Sequence, residues 1–253
     1  MRCLNAAMVV FVLCFAANAH ADYAAGFAAY DRGDHVTAFK EWKQSAEQGD
    51  AKSQYELALL YQDGVGTRKD IAEAIKWYRE AAARGLAPAQ NNLGVLYSKG
   101  LGVAQDHAEA AKWYYKAAKG GSLEALFSLG LAFEKGRGVE QDYNVAALNY
   151  LAAAEHGYAS AQANLSILYA ANVPGVPIDY PLAYKWSSLA IPALNGEIQK
   201  RVIRHRDTVA AKLTPAEREK MDQVIRDWKP KPTSSPLSVP QSVKPSSPPG
   251  AAQ

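Results

Sequence analysis

The histidines and aspartates are the side chains of this sequence that could bind a metal ion or transfer a proton. Beyond residue 21 the histidines are His35, His107, His156 and His205. None stands at metal-ligand spacing with another histidine or with an acid on the same predicted helix face. One set of acids recurs about every 36 residues: Asp70, Asp106, Asp142 and Asp179. That spacing suits helix starts, so we predict no catalytic residue and no metal site.

Nucleophile and nucleotide-binding motifs are missing from the sequence. It contains no G-x-S-x-G elbow, no phosphate-binding loop and no G-x-G-x-x-G element. Its Gly-x-Gly segments lie between predicted helices, whereas a nucleotide site follows a strand. Both cysteines, Cys3 and Cys14, precede residue 22. We therefore expect no cofactor and no enzymatic activity.

The first 21 residues have the pattern of a cleaved secretory signal. Arg2 supplies a positive start, residues 6–17 are almost wholly apolar, and Ala19-His20-Ala21 has small residues at the cleavage positions. We predict cleavage after Ala21, a periplasmic or secreted protein without cysteine, and no stable membrane insertion after cleavage. Residues 22–228 hold 24 basic and 25 acidic residues, which disfavours a nucleic-acid partner.

A basic run near the end of the predicted helices has two explanations. It contains Lys200, Arg201, Arg204, His205, Arg206 and Lys212. It is either the solvated polar face of an amphipathic helix, with acids following closely, or a contact for an acidic partner.

Glycines recur with a period of 36 residues, at Gly49, Gly85, Gly121 and Gly157. A fixed period of this length is typical of repeat arrays. Apolar residues fall at helical spacing on both sides of each Gly-x-Gly turn, so each repeat is predicted to be two antiparallel helices. Within the repeats, Gly94 and Gly130 would let a partner helix approach, and Tyr97 and Trp113 would pack in the core.

The motif Leu-Gly-x-x-Tyr-x-x-Gly-x-Gly-Val, followed by Asp and by Ala-x-x-Trp-Tyr-x-x-Ala-Ala-x-x-Gly, resembles the Sel-one-like repeat family, a branch of the tetratricopeptide-type helical arrays. The resemblance covers about residues 51–196. The fourth repeat departs from it, because Ser166 replaces the glycine and residues 172–176 replace the turn with one extra residue. The resemblance implies a right-handed, all-α solenoid of antiparallel helix pairs that serves as an adaptor in signalling, envelope assembly or secretion.

The predicted domain order follows from these patterns. It is a signal peptide (1–21), a diverged N-terminal helical repeat (22–48), four repeats (49–196), C-terminal capping helices (197–228) and a disordered Pro/Ser-rich tail (229–253). The tail has almost no apolar bulk and cannot form a core. We expect a monomer.

The residues that vary under the repeat register are the candidates for binding. They lie beside the core face of each first helix, on the predicted concave groove: Tyr55, Leu59, Gln62, Asn91, Val95, Ser98, Lys99, Phe127, Leu131, Glu134 and Lys135, with Ala163, Ile167 and Ala170 in the fourth repeat. Their large apolar members either anchor a partner protein or peptide or contact the neighbouring repeat.

Three functions fit this sequence. The first is an exported, non-catalytic interaction scaffold with an envelope or secreted partner. The second is a periplasmic regulator of an envelope sensor or assembly system. The third is a cell-wall or β-lactam hydrolase, an activity of some cysteine-rich exported relatives whose cysteine pairs this chain lacks.

Overall fold

The computed structural model describes residues 23–232, 237 and 239–240. The predicted signal peptide and most of the predicted tail lie outside these residues. The described residues divide into two compact units, one that ends at Gln105 and one that begins at Asp106.

Helices form almost all of the described part of the first unit. Residues 23–31 form α1, and the next four helices are α2 (His35–Glu47), α3 (Ala51–Asp63), α4 (Ile71–Ala83) and α5 (Ala87–Lys99). Helices α3 and α4 pack against each other most extensively, as the repeat pattern predicts.

The second unit continues the same alternation. Its helices are α6 (His107–Lys119), α7 (Leu123–Lys135), α8 (Tyr143–Ala154), α9 (Ala159–Ala170), α10 (Tyr180–Ala190), α11 (Gly196–Ala210) and α12 (Pro215–Asp227), with a 3₁₀ turn at Ile191–Ala193. Helix α7 pairs with α8, and α9 pairs with α10. The turn of the fourth repeat closes through an isolated bridge between Val173 and Val176.

Each second helix of the four repeats begins at a capping aspartate. The side chain of Asp70 accepts hydrogen bonds from the backbone N–H groups of Ala72 and Glu73, and the other three aspartates each bind one N–H group in the same way. The acids three residues later do not complete a capping box. Glu73 pairs with Lys76 one turn later instead of reaching back to the cap, and Glu109 pairs with Lys112.

The core of each repeat is built from the residues that recur. Leu57, Leu93, Leu129 and Leu165 are at most 1% exposed. Burying one leucine contributes about 1.5–3 kcal/mol, so these positions stabilise every repeat. The second helices also contribute alanines and a tyrosine to the core, such as Ala74 and Tyr78, which are wholly buried.

The glycine turns also fix how successive helices pack. Gly66 has a φ of 68°, in the left-handed region, and a Cβ atom there would overlap the backbone carbonyl of His35 at the start of α2. Gly138 repeats this contact with His107 at the start of α6. Because the second glycine of each turn has no side chain, the turn can pack closely against the second helix of the preceding helix pair.

Helix α11 extends the repeat register one step beyond the predicted repeats. Its N-cap, Asn195, follows the N-cap Tyr158 of α9 by 37 residues. Gln199 donates to the carbonyl of Ile191 (3.0 Å), as Gln162 does to that of Ala154 (3.1 Å). The same bond to a carbonyl eight residues earlier is made by Gln54 and Gln90 in the first unit. Helix α11 is thus the first helix of a fifth, diverged pair.

Helix α11 has a narrow apolar face. Val202 and Val209 are buried, whereas Ile198 is 56% exposed. Helix α12 packs on α10, where the Tyr184 hydroxyl donates to Asp222 (2.8 Å), and its Met221 and Ile225 join an apolar cluster with Val209 of α11.

Candidate functional site

The outward side chains of α3 and α5 form the first-helix face of the first unit. The structure places the predicted binding residues there: Tyr55, Leu59, Gln62, Asn91, Val95 and Ser98 are half-buried, and Lys99 is exposed. Their neighbours Leu57 and Leu93 are fully buried, so the boundary between core and surface follows the predicted register.

Tyr55 packs its ring on Tyr78 of α4, with 5.9 Å between ring centroids. The Tyr78 hydroxyl donates to Gln62 (3.0 Å) and also hydrogen bonds to Asn92. Burial raises the pKa of Tyr78 above its ordinary value, so the hydroxyl keeps its proton. These contacts hold Tyr55 and Gln62 in fixed positions.

An open cleft of about 500 Å³ lies at the C-terminal ends of α3 and α5. Its wall includes Gln62, Val95 and Lys99, three of the predicted binding residues, together with Asn92 and Leu101. Leu101 is 48% exposed. Lys69 and Asp63 also line it, so the cleft offers apolar surface, amides, two lysines and one carboxylate to a ligand.

The second unit carries an equivalent face on α7. Phe127 lies between Tyr150 (5.7 Å) and Tyr158 (5.5 Å), measured between ring centroids. The Tyr150 hydroxyl donates to Glu134 (2.7 Å) and accepts from Asn164 (3.2 Å). Burial, together with the hydrogen bond to Glu134, raises the pKa of Tyr150 above its ordinary value. Leu131 is half-buried on the same face, and Lys135 is exposed and paired with Glu134.

The two faces share one arrangement that the sequence reasoning missed. A tyrosine of the second helix joins the end of its own first helix to an amide on the next first helix, as Tyr78 does with Gln62 and Asn92. Tyr150 stands 72 residues later, two periods on. The recurrence of Tyr78, Tyr114 and Tyr150 every 36 residues was the available signal.

The face of the fourth repeat is partly covered. Ala163 is buried against Val202 of α11 in one apolar cluster, whereas Ile167 remains 43% exposed. Ala170 is half-buried beside it. A second cleft, of about 320 Å³, opens beside Ile167 between α9 and α11.

A serine and a histidine meet beneath this cleft. Ser166 Oγ lies 2.9 Å from His205 Nε2 and donates to the carbonyl of Ala183 (2.6 Å). With its only hydrogen given to Ala183, Ser166 accepts from Nε2–H, so His205 does not act as its base. Ser166 is also fully buried, out of reach of a substrate. The pair connects α9, α10 and α11 and lacks the accessibility that a nucleophile needs.

The predicted structural residues lie in the packed part of each repeat. A Cβ atom at Gly130 would overlap the ring of Tyr150, and Gly94 is buried. The Tyr97 hydroxyl accepts a hydrogen bond from Arg79 (3.1 Å). Trp113 is half-buried, with Lys116 Nζ lying 4.0 Å from the centre of its ring.

Two further observations concern the described residues as a whole. Among them, no group of three His, Cys, Asp or Glu side chains is placed to hold a metal ion. Nor does any helix within the described ranges have the length and apolar character needed to cross a membrane.

Helix pairs that repeat every 36 residues, each with a variable face on its first helix, define a helical-repeat protein of the α-solenoid class. The Sel1 repeat profile matches residues 51–86, 87–122, 123–158 and 159–191. The chain therefore belongs to the Sel1 repeat family, whose members in general mediate protein–protein interactions. The predicted all-α fold class and the family resemblance are both confirmed.

Solved structures agree with this assignment. The Sel1 repeat protein from Oxalobacter formigenes is 32% identical, with a TM-score of 0.70, and the match covers 84% of this chain and 89% of that one. The c5321 protein, a protective antigen of uropathogenic Escherichia coli with an SLR fold, is 27% identical with a TM-score of 0.50. That match covers 77% of this chain and 49% of c5321. Comparison with curated proteins gives no match.

Proposed function

We propose that this chain is an exported, non-catalytic scaffold that holds a partner protein or peptide on its first-helix faces. The observation that carries the proposal is the state of the two aromatic residues, Tyr55 and Phe127. Each ring packs on a tyrosine of the second helix, and that of Phe127 also packs on Tyr158, yet each residue remains only half-buried. A rigid aromatic side chain beside polar neighbours is typical of a binding anchor.

The two explanations of these residues, packing within the array and anchoring of a partner, are therefore compatible. The contacts with Tyr78 and Tyr150 are intramolecular packing, and the surface left open is available to a partner. Repeat-signature residues such as Leu93 and Leu129 are buried and cannot distinguish partners. Specificity belongs to the varying positions, of which Gln62, Ser98 and Glu134 are equivalent to one another.

Site-specific photo-cross-linking in the living cell tests the location. A photo-reactive amino acid at Val95 or Leu131 should form a covalent adduct with one defined partner protein. The control is Leu148 of α8, which is 44% exposed and lies on a second helix. Capture of the same protein from Leu148 with equal yield would show that the first-helix faces are not the site.

A double variant tests the anchors. Tyr55→Ala combined with Phe127→Ala should abolish the adduct, because both apolar contacts are lost, while circular dichroism still shows a folded helical protein. Loss of the ring stacking costs about 0.5–1.5 kcal/mol at each site, and a stable repeat array remains folded after a loss of this size. Leu148→Ala is the matched control. A double variant that captures the partner as well as wild type does would refute the role of these anchors.

Export is tested on the protein isolated from the producing cell. The periplasmic or secreted fraction should contain a chain that begins at Asp22, identified by intact mass. A cell-associated chain that retains Met1 would contradict this part of the proposal.

The hydrolase alternative has its own assay. The purified mature chain should release no product from a chromogenic β-lactam or from peptidoglycan, because Ser166 is buried and its hydrogen is committed to Ala183. Turnover that disappears in Ser166→Ala would establish an enzyme.

A further inference from the structure

The cleft between α9 and α11 has an apolar floor. Its lining includes Ile167 and Ala170 of α9, Tyr180 at the start of α10, and Val209 of α11. Because α11 follows the repeat register, it stands beside α9 as the next first helix, and the cleft continues the first-helix face of the second unit. Its volume of about 320 Å³ can hold one large apolar side chain with part of its backbone.

Basic and polar side chains form the edge of this cleft on α11. His205, Thr208 and Lys212 line it directly. Arg201 stands four residues before His205, one helical turn away on the same side, and Arg204 lies next to it. Both arginines and Lys212 are exposed.

Three of these cations have no acidic partner among the described residues. Lys200 pairs with Glu197, and Arg206 pairs with Asp207, but Arg201, Arg204 and Lys212 form no ion pair within the described ranges. Three of the four acids of α12 have partners elsewhere, among them Asp227, which accepts from Gln223. Glu217 binds the cap residue Thr214, and Asp222 accepts from Tyr184. Acids of the described helices therefore leave part of the positive charge of the basic run unpaired.

The spacing of the cations limits what can bind. Arg201 and Lys212 are 11 residues apart, which is roughly 16 Å along a helix at 1.5 Å per residue. One terminal carboxylate cannot reach both ends, whereas about five residues of extended peptide span that distance at roughly 3.3 Å each. The chain's own tail is a poor occupant, since residues 229–253 contain three lysines and no acid.

We propose that the cleft between α9 and α11 binds an acidic peptide segment whose apolar side chain rests on Ile167 while its flanking carboxylates pair with Arg201, Arg204 and Lys212. This inference rests on the proposed scaffold function and names the chemistry of its partner at one site. Long-range attraction between the cations and the acids would speed association, and the apolar contact would slow release.

Fluorescence anisotropy with a defined peptide tests this binding. The probe is a fluorescein-labelled, C-terminally amidated nonapeptide with one leucine between two pairs of glutamates. It should bind the purified chain with an affinity that falls as salt rises. The same peptide with lysine in place of glutamate, or with serine in place of leucine, should bind at least about tenfold more weakly.

Charge reversal locates the site. Arg201→Glu with Arg204→Glu should weaken binding by at least about tenfold. The matched control, Lys119→Glu with Arg137→Glu, makes the same change in net charge at two other exposed positions and should leave the affinity within about twofold. Circular dichroism checks that both variants remain folded. Equal weakening by the two pairs would overturn the proposal, because net charge alone would explain the binding.

Two further outcomes would also overturn it. One is binding only to a peptide with a free C-terminal carboxylate, which would identify a terminal-carboxylate site. The other is failure of the acidic peptide to bind while cross-linking from Val95 and Leu131 still captures a partner. That second result leaves the scaffold function intact and removes only the acidic-segment inference.

Discussion

Gly138 illustrates how a single residue sets the packing of a repeat. It adopts a φ of 74°, and a Cβ atom there would overlap the backbone at His107 and Ala108. Gly121 has a φ of 96°, but its Cβ position is open. Substitution of Gly121 therefore tests backbone strain alone, whereas substitution of Gly138 tests backbone strain together with a close contact.

Alanine substitution at both positions measures the difference. Gly121→Ala should lower the free energy of unfolding by about 1–2 kcal/mol, the cost of placing an alanine in the left-handed region. Gly138→Ala should lose about 3 kcal/mol or more, because the turn must also move away from α6. Chemical denaturation monitored by circular dichroism gives both values. Equal losses would show that the close contact with His107 adds nothing to the cost of the substitution in free energy of unfolding.

His205 makes stability depend on pH. Burial lowers the pKa of His205 below its ordinary value of 6.5, although the contact with Ser166 opposes this. In the window below pH 6.5 the unfolded chain binds more protons than the folded chain at this site. The contribution of His205 to stability is therefore complete above pH 6.5 and is lost as the pH falls toward the lowered value.

Melting temperatures at pH 7.5 and pH 5.5 test this dependence. The wild-type chain should lose more stability between these conditions than His205→Gln, which keeps a donor toward Ser166 and cannot become charged. The difference between the two proteins isolates His205 from the other titrating groups. If both lose the same amount, another group controls the acid response.

At the scale of single elements, the stability of α12 depends on its N-terminal cap. None of its residues is buried, and its first turn is held by a capping box between Thr214 and Glu217. Helix α7 provides the contrast, because its cap Ser122 precedes a helix with Leu126 and Leu129 in the core. We expect α12 to open locally and α7 to open only when the unit unfolds.

Hydrogen exchange of cap variants tests that expectation. Thr214→Ala removes a cap worth about 1 kcal/mol and should speed exchange of the α12 amides about fivefold without affecting α10. Ser122→Ala should lower the stability of the whole second unit and leave no α7-specific acceleration. Unchanged exchange in α12 would mean that its contacts with Tyr184, and not its cap, hold it.

The elements show why the sequence predicted the repeats but did not predict the register of α11 or its contact with α9. Leucines, glycines and aspartates at a fixed period predict the helix pairs because each of them meets a local requirement of packing, turn or cap. Helix α11 lacks the glycine signature, so its register appears only through Gln199, which repeats the bond of Gln162. The contact between Ser166 and His205 joins residues 39 apart, and no periodicity predicts it.

At the scale of the whole molecule, a repeat array separates stability from recognition. Each repeat buries its signature residues against its neighbours, so total stability is close to a sum of local terms. Varying positions such as Tyr55 and Phe127 can then change with modest cost to the fold. The same tyrosine arrangement in both units supports this view, since the hydroxyl donates to Gln62 in one case and to Glu134 in the other.

The end of the array is closed by a short segment that returns to the fourth repeat. Trp228 packs edge-on against Trp186, with 6.3 Å between ring centroids, and Pro230 lies beside Gly157. The Lys231 backbone N–H donates to the carbonyl of Glu155 (2.8 Å), and its Nζ pairs with the Glu155 carboxylate (2.6 Å). These contacts give residues 228–232 a structural role that the predicted disordered tail did not include.

Two truncated chains measure this closure. A chain that ends at Pro232 should melt with the full-length protein, whereas one that ends at Trp228 should melt a few degrees lower, because the backbone bond to Glu155 is worth about 1 kcal/mol. Lys231→Ala should change little, since both side chains of the ion pair are partly exposed and such pairs contribute at most about 1 kcal/mol. If both truncated chains melt alike, Trp228 alone closes the array, and everything after it is a tether.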